Sequence, residues 1–220
     1  FDKDLIDPTS DKKDANILKK EGGRKYYSVV DNKGKETAVK IYPDIVMVSD
    51  AGKQIRFPVE SVRPQGRIAG GVTGMKLDPK QKVVAMVLTS KDPNSYILVA
   101  SQKGFGKLSK MEHFKVQKQP GKGLITMKIT AKNGKVADAQ AVKLDRESGV
   151  SDSVYLLTEK AVVQEIPMDE ISIYGRSTQG STLMKLQPGD KISAIRAVSS
   201  DSNIKEEEPQ KGDNNKKSKK

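Results

Sequence analysis

Three short apolar runs, IVMV at 45–48, ILVA at 97–100 and VYLL at 154–157, each give way at once to turn-forming and charged residues. Runs of four aliphatic and β-branched residues bounded by turns predict buried strands. The residues after each run are also alike. The stretches GKQIRFPVE and GFGKLSKME have a glycine at or near the turn and predict the return strand of a hairpin. Next come a loop holding Gly with Arg or Lys, a third strand (GVTGMKL, GLITMKI, GSTLMKL), a turn (DPKQK, AKNGK, QPGDK) and a fourth strand (VVAMV, VADAQAV, ISAIRAV). No segment carries the periodicity of a long helix.

The pattern is an internal repeat. A shift of 52 residues lays the first copy on the second, and a shift of 109 lays it on the third. Gly71, Gly123 and Gly180 then coincide, as do Met75, Met127 and Met184, Lys76, Lys128 and Lys185, and Leu77, Ile129 and Leu186. Side chains alternate across a strand, so the methionines are expected in the core and the lysines beside them outside. The units 45–91, 97–143 and 154–198 therefore predict an all-β fold of four-stranded blades arranged radially, in the manner of propellers. Residues 1–44 form a divergent N-terminal segment in which SVVDNKGKETAVKI reads as the end of an earlier blade. Residues 199–220 are polar and low in complexity, and are expected to be a disordered charged tail.

Charge sharpens the picture once it is counted by repeat. The chain has 40 Lys and Arg against 28 Asp and Glu, a formal net charge of +12. Only one of those charges belongs to residues 1–44 and one to 199–220, so the repeats hold +10. Within them residues 45–91 carry +5, residues 97–143 carry +8 and residues 144–198 carry −2. A basic balance concentrated in folded repeats points to a polyanion, most simply nucleic acid. The absence of cysteine excludes disulfides, thiolate metal sites and cysteine nucleophiles, and a single histidine, His113, leaves little room for a histidine-ligated metal or a relay. There is no phosphate-binding P-loop. No stretch approaches the roughly 18 consecutive apolar residues of a membrane span.

The segments GKQIRFPVESVRPQGRIAGGVTGMKL, GFGKLSKMEHFKVQKQPGKGLITMKITAKNGKVADA and ISIYGRSTQGSTLMKL resemble the last three blades of the C-terminal domain of the A subunit of bacterial DNA gyrase. The resemblance covers residues 45–198 and is close also to the corresponding domain of topoisomerase IV. It implies a β-pinwheel, normally of six blades, whose basic outer rim bends duplex DNA. The family's glutamine-, arginine- and glycine-rich box corresponds here to QKQPGKG, Gln117 to Gly123, with Gln119 and Pro120 in place of an arginine and a glycine. The equivalent loops are QGRIAGG at 65–71 and YGRSTQG at 174–180.

Cations spaced along a surface neutralise phosphates, and glycine loops let backbone N–H groups approach them. On that basis the expected DNA-binding residues are Arg56, Arg63, Arg67, Lys76, Lys107, Lys115, Gln117, Lys118, Gly121, Lys122, Gly123, Lys128, Arg176 and Lys185. Contact should concentrate on the first two repeats, since the third has Glu165 where the first has Arg56. The resemblance further implies a cytoplasmic module on chromosomal DNA, partnered by duplex DNA, by the catalytic domains of the parent enzyme's A subunit and by its ATPase B subunit, with no membrane partner. No catalytic residue, metal or cofactor is expected in this chain, while ATP and magnesium would serve the parent enzyme. A propeller-like scaffold for protein interaction, with lysines serving only solubility, is the alternative reading.

Overall fold

The computed structural model describes residues 43–89, 94–144 and 152–198 in full. Ahead of them it gives the backbone of three strands, β1 (Ile17–Glu21), β2 (Arg24–Val30) and β3 (Glu36–Lys40), paired in that order. The tail expected at 199–220 lies outside the described residues, as do the side chains of 1–42.

The first repeat forms β4 (Asp44–Ser49), β5 (Lys53–Pro58) and β6 (Val83–Thr89). The second forms β7 (Ser95–Ser101), β8 (Phe105–Lys110), a two-residue β9 (Leu124–Ile125) and β10 (Val136–Lys143). The third forms β11 (Ser153–Thr158), β12 (Val163–Pro167), a two-residue β13 (Ser181–Thr182) and β14 (Ile192–Val198). The apolar runs are the central strands, as β-branched residues buried on a pleated surface should be. A short 3₁₀ turn closes each hairpin strand, at Val59–Ser61, Met111–His113 and Met168–Glu170. Where the central strand meets the repeat's last strand, each blade carries a register shift at its end, between Val48 and Ser49, between Val136 and Asp138, and between Leu157 and Thr158.

Sheet order corrects one part of the sequence reading. The four strands of a blade do not come from one repeat: the sheets run β6-β4-β5-β9, β10-β7-β8-β13 and β12-β11-β14, all antiparallel. Each third strand leaves its own repeat and pairs with the hairpin of the repeat before it. Gln54 faces Leu124 at the first junction and Gly106 faces Ser181 at the second. Those pairs are equivalent under the repeat shifts, so the registers are identical. The chain is turned across by Gly123 (φ 74°) and Gly180 (φ 79°), a left-handed conformation that favours glycine. A Cβ there would press on the backbone carbonyls of Gln54 and Gly106. In the first repeat the same stretch forms no strand among the described residues, only an isolated bridge from Met75 to Gly121.

Blades stack face to face, and parity along β7 shows how. All seven of its residues are buried. Ile97 and Val99 pack with Val46, Val48, Met127 and Ala139 between the first two blades, while Tyr96, Leu98 and Ala100 pack with Val154, Leu156 and Ile195 between the second and third. Each fully buried aliphatic side chain contributes about 1.5–3 kcal/mol, so the two inter-blade layers dominate stability. The methionines of the repeat are buried as expected, Met75, Met127 and Met184 alike. One complementary pair of changes distinguishes the junctions. Gln54 and Thr126 at the first are replaced by Gly106 and Leu183 at the second, where the Leu183 side chain occupies the space a Cβ on Gly106 would need.

A buried carboxylate also ties the first two blades. Asp50 accepts from Lys82 N–H (3.1 Å) and from Lys135 Nζ (2.7 Å), and its carbonyl accepts from Val136 N–H (2.9 Å). Burial works against its charged form, but the bonds from Lys135 and Lys82 and the two ammonium charges outweigh it and hold the pKa below the usual carboxylate value. A lowered folded pKa means stability that is present above the unfolded pKa and lost as pH falls through the carboxylate range. Asp50→Asn should therefore cost about 1–3 kcal/mol at neutral pH, and urea melts should show the gap from the parent chain closing as the pH drops below about 4.

Candidate nucleic-acid interface

The second and third glycine loops, at 117–123 and 174–180, are held by backbone bonds that repeat from blade to blade. Gln117 N–H donates to Arg56 O (2.8 Å) and Tyr174 N–H to Leu108 O (2.8 Å), which pins the start of each loop on the preceding hairpin. Further along, Lys76 N–H donates to Gly121 O (2.8 Å) and Lys128 N–H to Thr178 O (2.9 Å). Each of these two loops thus lies against the Met-Lys pair of the repeat before it. Lys76, Lys118 and Lys122 are brought to one loop, and Lys128 to the loop holding Arg176, although they are far apart in sequence. A cis peptide bond precedes Pro120 within the 117–123 loop.

Exposure sorts the expected residues. Arg63, Arg67, Lys76, Lys115, Lys118, Lys122, Lys128 and Lys185 are exposed, while Gln117, Gly121, Gly123 and Arg176 are half-buried. Lys122 is 73% exposed and only 3.9 Å from Asp78 at its nearest, a loose surface pair that leaves the ammonium available to an anion. Gln117 turns its side-chain carbonyl inward, where that oxygen is buried.

Two expected residues have structural work instead. Lys107 is 0% exposed and the largest fully buried side chain described. Its Nζ donates to Gly175 O (2.7 Å), Arg176 O (2.9 Å) and Thr178 Oγ1 (3.1 Å), so it staples the third glycine loop to the second blade from beneath. Desolvation lowers its pKa from 10.5 to about 8. Arg56 donates from Nε to the buried carboxylate of Asp44 (2.7 Å) and from a terminal nitrogen to Met111 O (3.1 Å) and Phe114 O (3.4 Å). Its guanidinium joins the first blade to the second. Sequence position could not separate these from surface cations, because the partner loops lie one repeat away.

The structure adds cations that the sequence reading passed over. Lys103, in the hairpin turn of the second blade, and Lys191, in the last turn of the third, line the same shallow depression as Lys185. β13 crossing onto β8 brings them together. No group of three or more His, Asp or Glu among the described residues could hold a metal ion.

A family model described as the DNA gyrase C-terminal domain, a β-propeller, matches residues 43–90, 95–143 and 152–199. The chain belongs to this family. A relative named as the A subunit of DNA gyrase, from Lawsonia intracellularis, is 37% identical over 155 residues, covering 70% of this chain and 18% of its own length. The solved gyrase A C-terminal domain superposes with a TM-score of 0.63 at 23% identity, covering 76% of this chain and 56% of that one. The C-terminal domain of topoisomerase IV gives 0.64 at 22% identity, covering 76% and 50%. Fold alone does not separate the two, and the family model together with the sequence relative favours gyrase. The chain spans under a fifth of the length of that full-length gyrase relative.

The buried cations generate two predictions. Arg56→Ala leaves the Asp44 carboxylate buried without its partner and should cost about 3–5 kcal/mol in urea unfolding. For Lys107 the folded pKa lies below the unfolded one, so between about pH 8 and 10.5 the unfolded chain binds more protons. Stability of the parent chain relative to Lys107→Met should then rise with pH across that window, read by thermal melts of both proteins.

Proposed function

We propose that this gyrase C-terminal domain binds and bends duplex DNA without sequence preference, and thereby supports ATP-dependent negative supercoiling by a parent type II topoisomerase. The observation that supports it most is the seating of the Gln117–Gly123 loop against Lys76, through Lys76 N–H to Gly121 O at 2.8 Å, which gathers Lys76, Lys118 and Lys122 on one backbone-locked surface. Cations held at fixed spacing can neutralise successive phosphates, and release of their counterions drives binding. The +8 of residues 97–143 and the +5 of residues 45–91 put the strongest attraction on the first two blades. Arg176, Lys185, Lys103 and Lys191 would extend the path along the junction with the third.

In this reading the domain presents a bent segment to the cleavage domains of the parent's A subunit, with ATP hydrolysed on the B subunit and magnesium bound in the parent's other domains. The setting would be chromosomal DNA in the cytoplasm. No helix among the described residues is long and apolar enough to cross a membrane.

Fluorescence titration of a DNA duplex at several salt concentrations tests the binding surface. Each phosphate contact contributes about 0.9 to the log–log slope, so joint Lys118→Glu and Lys122→Glu changes should lower the slope by roughly 2 and weaken binding, while Lys107→Met should leave the slope unchanged. Bending has its own test. Relaxed plasmid closed in the presence of saturating protein should show a shifted linking number, and an unshifted one would overturn the wrapping claim.

A further inference from the structure

Gly52, Gly104 and Ala161 hold one structural position in the three repeats. Their N–H groups donate to Ser49 O (3.0 Å), Ser101 O (3.1 Å) and Thr158 O (3.1 Å), closing the same turn after each central strand. All three have positive φ, at 74°, 82° and 61°. Alanine is out of place there, since a Cβ makes the left-handed region unfavourable.

At the first two positions this turn receives the exchanged strand. Gly52 O accepts from Thr126 N–H (2.8 Å) and Met127 N–H (3.1 Å), and Gly104 O accepts from Leu183 N–H (2.8 Å) and Met184 N–H (3.1 Å). The same grip brings the methionine carbonyl back onto the glycine. A methyl group on Gly52 or Gly104 would overlap Met127 O or Met184 O far inside contact distance. Ala161 carries that methyl group. Consistently, β12 has no strand beyond it among the described residues, whereas β5 and β8 are flanked by β9 and β13.

The supply side is present too. Gly71 has φ 79°, matching Gly123 and Gly180, yet no described residue lies within 4 Å of where its Cβ would be. Residues 71–73 are exposed, so the backbone kink of an exchanging strand stands at the surface while Met75 stays seated in the first blade. A second copy of the chain could offer that segment to β12, whose first residue Val163 is 60% exposed and whose preceding residue Val162 is 45% exposed. Such a head-to-tail contact is heterologous and would build rings or filaments.

We propose that Ala161 closes the third blade to strand exchange, so that segment 71–77 of a second copy cannot extend the array from β12. The block is steric and local: one methyl group stands where the incoming carbonyl must sit.

The test uses a fluorescent peptide of residues 69–80 titrated against the full chain and its Ala161→Gly variant, with anisotropy as readout. The variant should bind at least about tenfold tighter than the parent chain. Equal affinities, whether both proteins bind the peptide or neither does, would overturn the proposal. Sedimentation velocity gives an independent measure. Ala161→Gly should associate as concentration rises while the parent chain stays unchanged, and matching behaviour of the two would likewise overturn it. Because the substitution relieves a left-handed alanine, the variant is expected to fold.

Discussion

Two carbonyl oxygens, on Gly52 and Gly104, hold the architecture together in a way that no side chain could. Each accepts two successive amides from the following repeat, and the approach is so close that only a hydrogen atom fits on the glycine Cα. This contact fixes the offset between neighbouring blades, and with it the depth to which Val46, Val48, Ile97 and Val99 interleave. It also fixes the glycine loops, since Gly123 and Gly180 turn the chain into that contact. Apolar layers supply most of the free energy, but non-directional burial would tolerate a sliding sheet. Backbone geometry at the junctions removes that freedom.

Much of this was legible in the chain. The apolar runs marked the central strands, the coincident methionines marked core positions, and alternation placed Lys76, Lys128 and Lys185 outside. The repeat count and the basic character of the first two repeats needed only the alignment of the chain with itself. What stayed hidden was the partner of each third strand. GLITMKI pairs with a hairpin some seventy residues earlier, and nothing in local propensity distinguishes that from pairing within its own repeat. The same blindness affected the site. Lys107 and Arg56 look like surface cations on a hairpin until the neighbouring loop is seen to deliver three acceptors to one and two carbonyls to the other.

Those two residues show how a basic domain can place charge inside itself without losing coherence. Lys107 is surrounded by oxygen acceptors from a single loop, and Arg56 shares a buried carboxylate while reaching across to the next blade. Buried ionic groups seldom add much net stability, yet they make wrong arrangements costly by leaving a charge uncompensated. The cations left on the exterior, with Lys103 and Lys191 now among them, are those that an anionic partner can reach. Interior charge thus aligns the blades, while exterior charge stays open to solvent.

The differing contents of the two junctions have a consequence for how a tandem array assembles. Repeats alike enough to superpose over some fifty residues risk docking with the wrong sibling, since every hairpin could in principle receive any exchanged strand. Here the shapes act as matched lock and key. A strand bearing Leu183 would collide with the side chain of Gln54, whereas one bearing Thr126 would leave a void over Gly106. Each mismatched pairing is penalised by either overlap or emptiness, so the order of the blades is proofread by volume while the chain folds.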